Sequence, residues 1–283
     1  PEWTDSMLID SHHHLWKYST EQYGWINDSM SVLKRDFLTA ELKQIAEESN
    51  VDGFVSVQAR QTVEETEALL GMADSEPLIR GVVGWVPLAQ PDLGNVLDQF
   101  SDNAKLKGVR HVVQDEPDDR FILGADFNRG VAQLAGRGLV YDVLVFAKHL
   151  QPSIEFVDRH PHLNMVLDHI AKPTIRGETF DSQWETEIRE LANLPNIVCK
   201  FSGVATDIVD SSWGIETIRP YWDIVLEAFT PSRLMFGSDW PVCLLRTEYK
   251  QWLDTVRLLA SELSIDERND FLGETARRIY HLE

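Results

Sequence analysis

Residues 53–70, GFVSVQARQTVEETEALL, contain one complete unit of the architecture. Gly53–Val57 is a short apolar run with β-branched residues, as expected of a strand buried on both faces of a parallel sheet. Thr62-Val-Glu-Glu65 then has the spacing of a capping box and leads into Leu69 and Leu70, the apolar face of a helix. The same unit recurs along the chain. Strand-like runs also fall at Met7–Ile9, Gly81–Val86, Gly108–Val113, Leu139–Phe146, Met165–Leu167, Ile197–Phe201 and Leu234–Phe236, eight in all. Stretches of helical period begin near Asp36, Pro91, Ala125, Pro152, Ser182, Ile215, Thr247 and Asp266. Eightfold alternation, with connections long enough for parallel crossovers, predicts a (β/α)8 TIM barrel of the α/β class. An open doubly wound sheet is the structural rival, but neither GxGxxG nor GxxxxGK[ST] occurs. No linker, repeat or low-complexity tract marks a second domain, so residues 1–283 read as a single barrel domain. The loop at about 15–35, after the first strand, is long for its place and carries Trp16, Tyr18, Tyr23 and Trp25. It is expected to lid the barrel mouth.

The chain has 283 residues, 43% of them hydrophobic, enough for a full core. Its 26 Lys+Arg stand against 46 Asp+Glu, a net charge of −20. Such a charge repels phosphate backbones and anionic lipid, which disfavours nucleic-acid and membrane roles. Two cysteines, Cys199 and Cys243, cannot build a disulfide framework. Pro1–Met7 lacks the basic and apolar regions of a signal peptide. A reducing cytoplasm is the expected location.

In a barrel of this kind chemistry sits where strands run into βα loops. The first strand runs into Asp10-Ser11-His12-His13-His14. A period of two puts His12 and His14 on one face, about 7 Å apart, and His13 on the other. Two imidazoles on one face can converge on one cation or one substrate atom. The second strand ends at Gln58 near Arg60, and the third at Trp85; each could equally be packing. The fourth delivers Arg110, which needs a partner if buried. That partner is either a substrate oxygen or Glu116 or Asp118. The fifth offers Asp142 and no histidine. The sixth ends Asp168-His169, the seventh carries Lys200, and the eighth ends Gly237-Ser238-Asp239-Trp240. Lys200 could bridge to a neighbouring carboxylate or meet a substrate hydroxyl. Together His12, His14, His169 and Asp239 suit hydrolysis, in which a base takes a proton from water and donors hold the oxyanion.

The HxH on the first strand, the His on the sixth and the Asp on the eighth resemble the amidohydrolase superfamily. Ile9-Asp10-x-His12-x-His14-x-Trp16, Tyr23-Gly24-Trp25, Gly108-Val-Arg110-His111 with Gln114-x-Glu116-Pro117, Leu167-Asp168-His169-x-x-Lys172-Pro173, Lys200-x-Ser202-Gly203 and Phe236-Gly-Ser-Asp239-Trp240-Pro241 resemble its sugar-lactonase branch, collinearly over nearly the whole chain. The resemblance implies opening of an aldonolactone by water, with Asp239 as base and His12, His14 and His169 around the oxyanion. Arg110, Lys200, Gln58, Trp25, Trp85 and Trp240 are then substrate-binding candidates, the tryptophans as flat faces for a sugar ring. Metal stays open: His12, His14, His169 and Asp239 could hold one Zn2+ or Mn2+, or the activated ester opens without one. Two alternatives stand beside this reading. One is a metal-dependent decarboxylase on the same barrel, gripping its acid with Arg110, Arg60 or Arg120. The other is a catalytically dead sugar-acid binding protein.

Overall fold

The computed structural model describes residues 7–177 and 179–283; Pro1–Ser6, most of the polar start discussed above, and Glu178 lie outside them. Eight strands, β1 (Ile9–His13), β2 (Gly53–Val57), β3 (Ile79–Gly84), β4 (Leu106–Val112), β5 (Val140–Leu144), β6 (Met165–Leu167), β7 (Ile197–Phe201) and β8 (Leu234–Phe236), pair in parallel in chain order. The main helices between and after them are α1 (Thr39–Ser49), α2 (Val63–Ser75), α3 (Leu93–Gln99), α4 (Ala125–Val131), α5 (Leu150–Arg159), α6 (Ser182–Ala192), α7 (Ile215–Phe229) and α8 (Tyr249–Ala260). This is the (β/α)8 barrel.

β8 meets β1 through a bridge between His13 and Trp240. The Asp239 N–H donates to the His12 carbonyl at 2.8 Å and the His14 N–H to the Trp240 carbonyl at 2.7 Å. Asp10 clamps the same seam. Its carboxylate accepts from the Ser238 hydroxyl (2.6 Å) and N–H (2.9 Å), the His12 N–H (3.1 Å) and the Tyr249 hydroxyl (3.1 Å).

The barrel interior follows from strand alternation. Ile9, Val55, Val57, Val83, Val140, Val166, Val198 and Met235 form one cluster with Ala276, Ile279, Tyr280 and Leu282. Their neighbours Phe54, Val82, Tyr141, Leu167, Cys199 and Phe236 pack outward into the helix layer. One step further along the strands the interior turns polar, with Asp142 above Val140, Asp168 above Val166 and Lys200 above Val198.

Two local expectations need correction. The first strand is Ile9–His13, not Met7–Ile9, so His12 and His13 belong to the strand. Polar side chains there are tolerated because they enter the polar layer or bond sideways. Its register against β2 slips by one residue, with Asp10 opposite Phe54 but His13 opposite Ser56. That bulge resets the alternation, so that Ile9 and His12 both face inward although they are three apart. Secondly, the capping box at α2 is only half formed. The Thr62 hydroxyl accepts from the Glu65 N–H at 3.2 Å, but the Glu65 side chain turns to the β2 loop instead.

Candidate active site

The polar layer places His12, Arg110, Asp142, Asp168 and Lys200 together, all essentially buried. Lys200 Nζ lies 2.6 Å from Asp142 and 3.2 Å from Asp168. Arg110 Nη1 donates to Asp168 at 3.0 Å; its Nε and Nη2 donate to the side chain and carbonyl of Gln58, both at 2.7 Å. Two cations thus balance two carboxylates. Burial, reinforced by Lys200 and His169 against the pull of Asp168, holds the His12 pKa well below the usual histidine range. His12 is therefore a neutral ring in a sealed floor.

His14 and Asp239 lie above that floor. The His14 ring is fixed by the Val57 carbonyl, 2.8 Å from Nδ1. A carbonyl only accepts, so Nδ1 carries the proton, and a neutral ring presents its Nε2 lone pair to Asp239 Oδ1 at 3.2 Å. Two acceptors face each other, which calls for a proton or a cation between them. His12 Nε2 is 3.7 Å from the same oxygen. Burial raises the Asp239 pKa, but His169, His14 and His12 together outweigh it and hold the group as carboxylate. Among the described residues no hydrogen bond reaches its Oδ2, and Asp239 lines the cavity.

His169 arrives by an unusual backbone. His169, Ile170, Ala171 and Lys172 all have positive φ, at 53°, 49°, 61° and 46°. Four L-residues in a left-handed turn carry about 1–2 kcal/mol of strain each. Packing restrains them: Ile170 and Ala171 are fully buried, and Trp184 Nε1 donates to the Ile170 carbonyl at 2.8 Å. Residues three apart share a face of the turn, and both His169 and Lys172 line the cavity. His169 Nδ1 is 2.8 Å from the Ser202 hydroxyl, and the ring packs edge-on against His12 at 4.4 Å. Gly203, at φ 65°, leaves room for both functional groups. A Cβ there would stand 2.7 Å from His169 Nδ1 and 3.0 Å from Asp239 Oδ2.

The cavity above has a volume of about 390 Å³. Of the expected site residues, His14, His169, Asp239, Arg110, Gln58 and Trp25 line it. His12 lies sealed behind them. Lys200 is fully buried on Asp142 and Asp168, so its ion pairs place it under the site and outside the cavity wall. Trp85 donates from Nε1 to His111 at 3.1 Å, and Trp240 packs edge-on against Phe37; neither is in the cavity wall. Arg110 pairs with Asp168, not with Glu116 or Asp118; Glu116 bonds His111 at 2.6 Å. His13 turns to the Ser56 hydroxyl at 2.8 Å, away from the site as expected. Trp25, from the long first loop, donates from Nε1 to the Ala59 carbonyl at 3.0 Å, and Gln22 joins it in the wall.

The sequence alone gives no place in the site to Asp168, Gly203 or Glu65. Asp168 and Gly203 were visible only as parts of longer motifs. Glu65 was read as a cap, yet its carboxylate accepts the Arg60 N–H at 2.7 Å and the Ala59 N–H at 3.0 Å, holding one wall of the cavity. Burial lifts its pKa to about 7. A carboxyl raised in the folded state holds a proton that the unfolded chain releases, so its contribution is full below about pH 4.5 and lost as pH rises through 7. Glu65→Gln is therefore expected to flatten the fall of stability between pH 5 and 7 by up to about 1.4 kcal/mol per pH unit. Urea midpoints measured across that range check this; an unchanged slope would refute it.

The donor atoms of His12, His14 and Asp239 lie within 4.8 Å of one another, and those of His12, Asp168 and His169 form a second such group. The four ligands suggested by resemblance are thus divided between two groups. The first group fits a divalent cation: the His14 lone pair aimed at a carboxylate is a pair of ligands, and three protein donors leave a position open. Residues 9–282 match the family model described as amidohydrolase. The chain belongs to the amidohydrolase family. An L-fucono-1,5-lactonase from Burkholderia multivorans is 42% identical over 98% of this chain and 97% of its own. One from Burkholderia ambifaria is 31% identical over 97% and 96%. A Burkholderia multivorans amidohydrolase crystallised with bound zinc superposes with a TM-score of 0.94 at 41% identity, covering 98% of this chain and all of that one. Among the described residues of this amidohydrolase no helix is long and apolar enough to cross a membrane.

Proposed function

We propose that this amidohydrolase is a lactonase that opens an aldono-1,5-lactone to the free sugar acid, and that Asp239, His14, His169 and Arg110 meet the substrate. The observation that carries the reading is Asp239 Oδ2: an ionised carboxylate oxygen with no donor of its own among the described residues, on a residue that lines the cavity beside three imidazoles. Two relatives with near full-length coverage bear the name of this activity.

Water held at Oδ2 gives its proton to Asp239 as its oxygen bonds to the lactone carbonyl carbon. The oxyanion takes the remaining Nη2 hydrogen of Arg110, whose other donors are already committed to Gln58, Asp168 and His12. It also takes the His169 Nε2–H that the ring presents when the Ser202 hydroxyl donates to Nδ1. Collapse breaks the bond from that carbon to the ring oxygen, which leaves carrying the proton held by Asp239. A divalent ion bound by His12, His14 and Asp239 would add Lewis-acid polarisation of the carbonyl. Trp25 supplies an aromatic edge to the cavity for the sugar. Decarboxylation fits less well. Arg110 has a single N–H left once Gln58, Asp168 and His12 are served, too few for a two-pronged grip on a carboxylate, and Arg120 is exposed beside Glu155, outside the cavity.

A panel of 1,4- and 1,5-aldonolactones, followed by acid release with a pH indicator with and without chelator, tests the proposal. Turnover of a 1,5-lactone is expected; no turnover on any member sinks the reading. Loss with chelator and recovery with Zn2+ means that the reaction needs a divalent ion, for which the His12, His14 and Asp239 group is the proposed seat.

A further inference from the structure

Ala276, Ile279, Tyr280 and Leu282 pack into the barrel interior against the cluster that holds Ile9, Val55, Val83 and Val140. Lys107 Nζ donates to the His281 carbonyl at 2.9 Å and Arg80 Nη1 to the Glu283 carbonyl at 3.1 Å, each from the second residue of its strand. The segment 276–283 therefore plugs the barrel at the end away from the cavity. From there the Tyr280 hydroxyl reaches up to both oxygens of Asp142, at 2.8 Å each, and its ring centre lies 5.2 Å from Lys200 Nζ. Among the described residues Asp142 Oδ1 has no other hydrogen bond. Lys200 Nζ touches His12 Nδ1 at 3.2 Å as well as the two carboxylates, and Arg110 Nη1 stands 3.3 Å from the other nitrogen of that ring. Tyr280 is fully buried and does not line the cavity. A chain of polar contacts thus runs from the plug, through Asp142 and Lys200, to His12 and Asp168.

We propose that Tyr280 is a positioning residue for the hydrolysis: by holding Asp142 against Lys200 it keeps His12, Asp168 and Arg110 set under the reacting centre. A hydroxyl that donates to a carboxylate favours its charged form. Asp142 needs that donor, because burial pushes its carboxyl up, with Asp168 acting in the same direction and Lys200 and Tyr280 against it. Once protonated, Asp142 no longer holds Lys200, which turns wholly to Asp168, the carboxylate that anchors Arg110. The Arg110 hydrogen aimed at the oxyanion then loses its fixed direction. The titratable and charged groups that meet here are His12 from β1, Arg110 from β4, Asp142 from β5, Asp168 after β6 and Lys200 from β7, with the Tyr280 hydroxyl beneath them. The role rests on the lactonase reading for its reaction, and it gives Tyr280 no contact with substrate.

Tyr280→Phe keeps the ring beside Lys200 and removes only the hydroxyl, so the test is the pH profile of kcat on an aldono-1,5-lactone. In wild type kcat is expected to fall on the acid side as Asp142 takes up a proton. Losing a donor to the charged form raises the pKa, so in Tyr280→Phe that fall should begin about 1–2 pH units higher, the worth of one hydrogen bond to a charged group. KM should stay within about twofold, since no contact with substrate is lost. Asp142→Asn, neutral at every pH, should show a low kcat without this limb, and adding Tyr280→Phe to it should change kcat by less than about twofold. A purely structural role would lower the thermal midpoint and leave the limb where it was. An unmoved limb in Tyr280→Phe overturns the proposal, as does an equal loss of kcat with and without Asp142→Asn. If wild type opens no lactone at all, the functional reading fails, and 15N NMR of the His12 ring still decides the role of Tyr280. Shifted ring signals in Tyr280→Phe uphold it; unchanged signals overturn it.

Discussion

Asp239→Asn is expected to lower kcat by about 10²–10⁴-fold, the usual contribution of a positioned proton acceptor. The substitution is chosen for what it leaves intact. Asp239 has φ 57°, a left-handed conformation that asparagine tolerates as well as aspartate. Its N–H to the His12 carbonyl, and so the seam between β1 and β8, survives the change. What disappears is the charge that faces His14 and His12 and the free oxygen that receives the proton from water. Lactone opening by the purified variant, with its thermal midpoint as a folding control, is the measurement. Activity within threefold of wild type in a folded variant would remove Asp239 from the role of base.

Lys200→Met is expected to destabilise the protein by about 3–5 kcal/mol, because it leaves the buried Asp142 carboxylate without its cation. Methionine keeps much of the volume, so the effect isolates charge from cavity. Among the described residues Asp142 would keep only the Tyr280 hydroxyl at 2.8 Å, and Asp168 only Arg110 and His12. Adding Asp142→Asn should restore part of the loss by removing the stranded charge. Urea unfolding of both variants decides the matter. A single-variant loss below about 1 kcal/mol would mean that the floor of the site is not held by this ion cluster.

Much of the barrel was legible in the sequence because parallel strands buried on both faces read as apolar runs. β2, β6, β7 and β8 coincide with Gly53–Val57, Met165–Leu167, Ile197–Phe201 and Leu234–Phe236. β1 was misplaced for the reason that makes it useful: its C-terminal half is Ser11, His12 and His13, which no hydropathy argument assigns to a strand. The identity of His12, His14, His169 and Asp239 as site candidates followed from their place at strand ends. Their division of labour did not. Nothing in the string tells that a bulge at Asp10–His12 resets the facing of β1, or that His169–Lys172 winds left-handed with no glycine to announce it. Lys200 shows the same limit in charge. A lysine on an apolar strand can be read as ion pair or ligand contact, and only the positions of Asp142 and Asp168 decide between them. Glu65 was read from a local pattern that a longer-range partner, the loop Ala59–Arg60, overrode.

The stitching of β8 onto β1 has a consequence for how the activity comes into being. His12 and His14 precede Asp239 by more than two hundred residues, yet the hydrogen bonds that close the ring run through the backbones of these same residues. A nascent polypeptide still lacking β8 has its histidines but neither a closed ring nor a carboxylate to face them. With Asp239 as the base, hydrolysis has to wait for β8, and turnover can serve as a reporter that this strand has docked on β1.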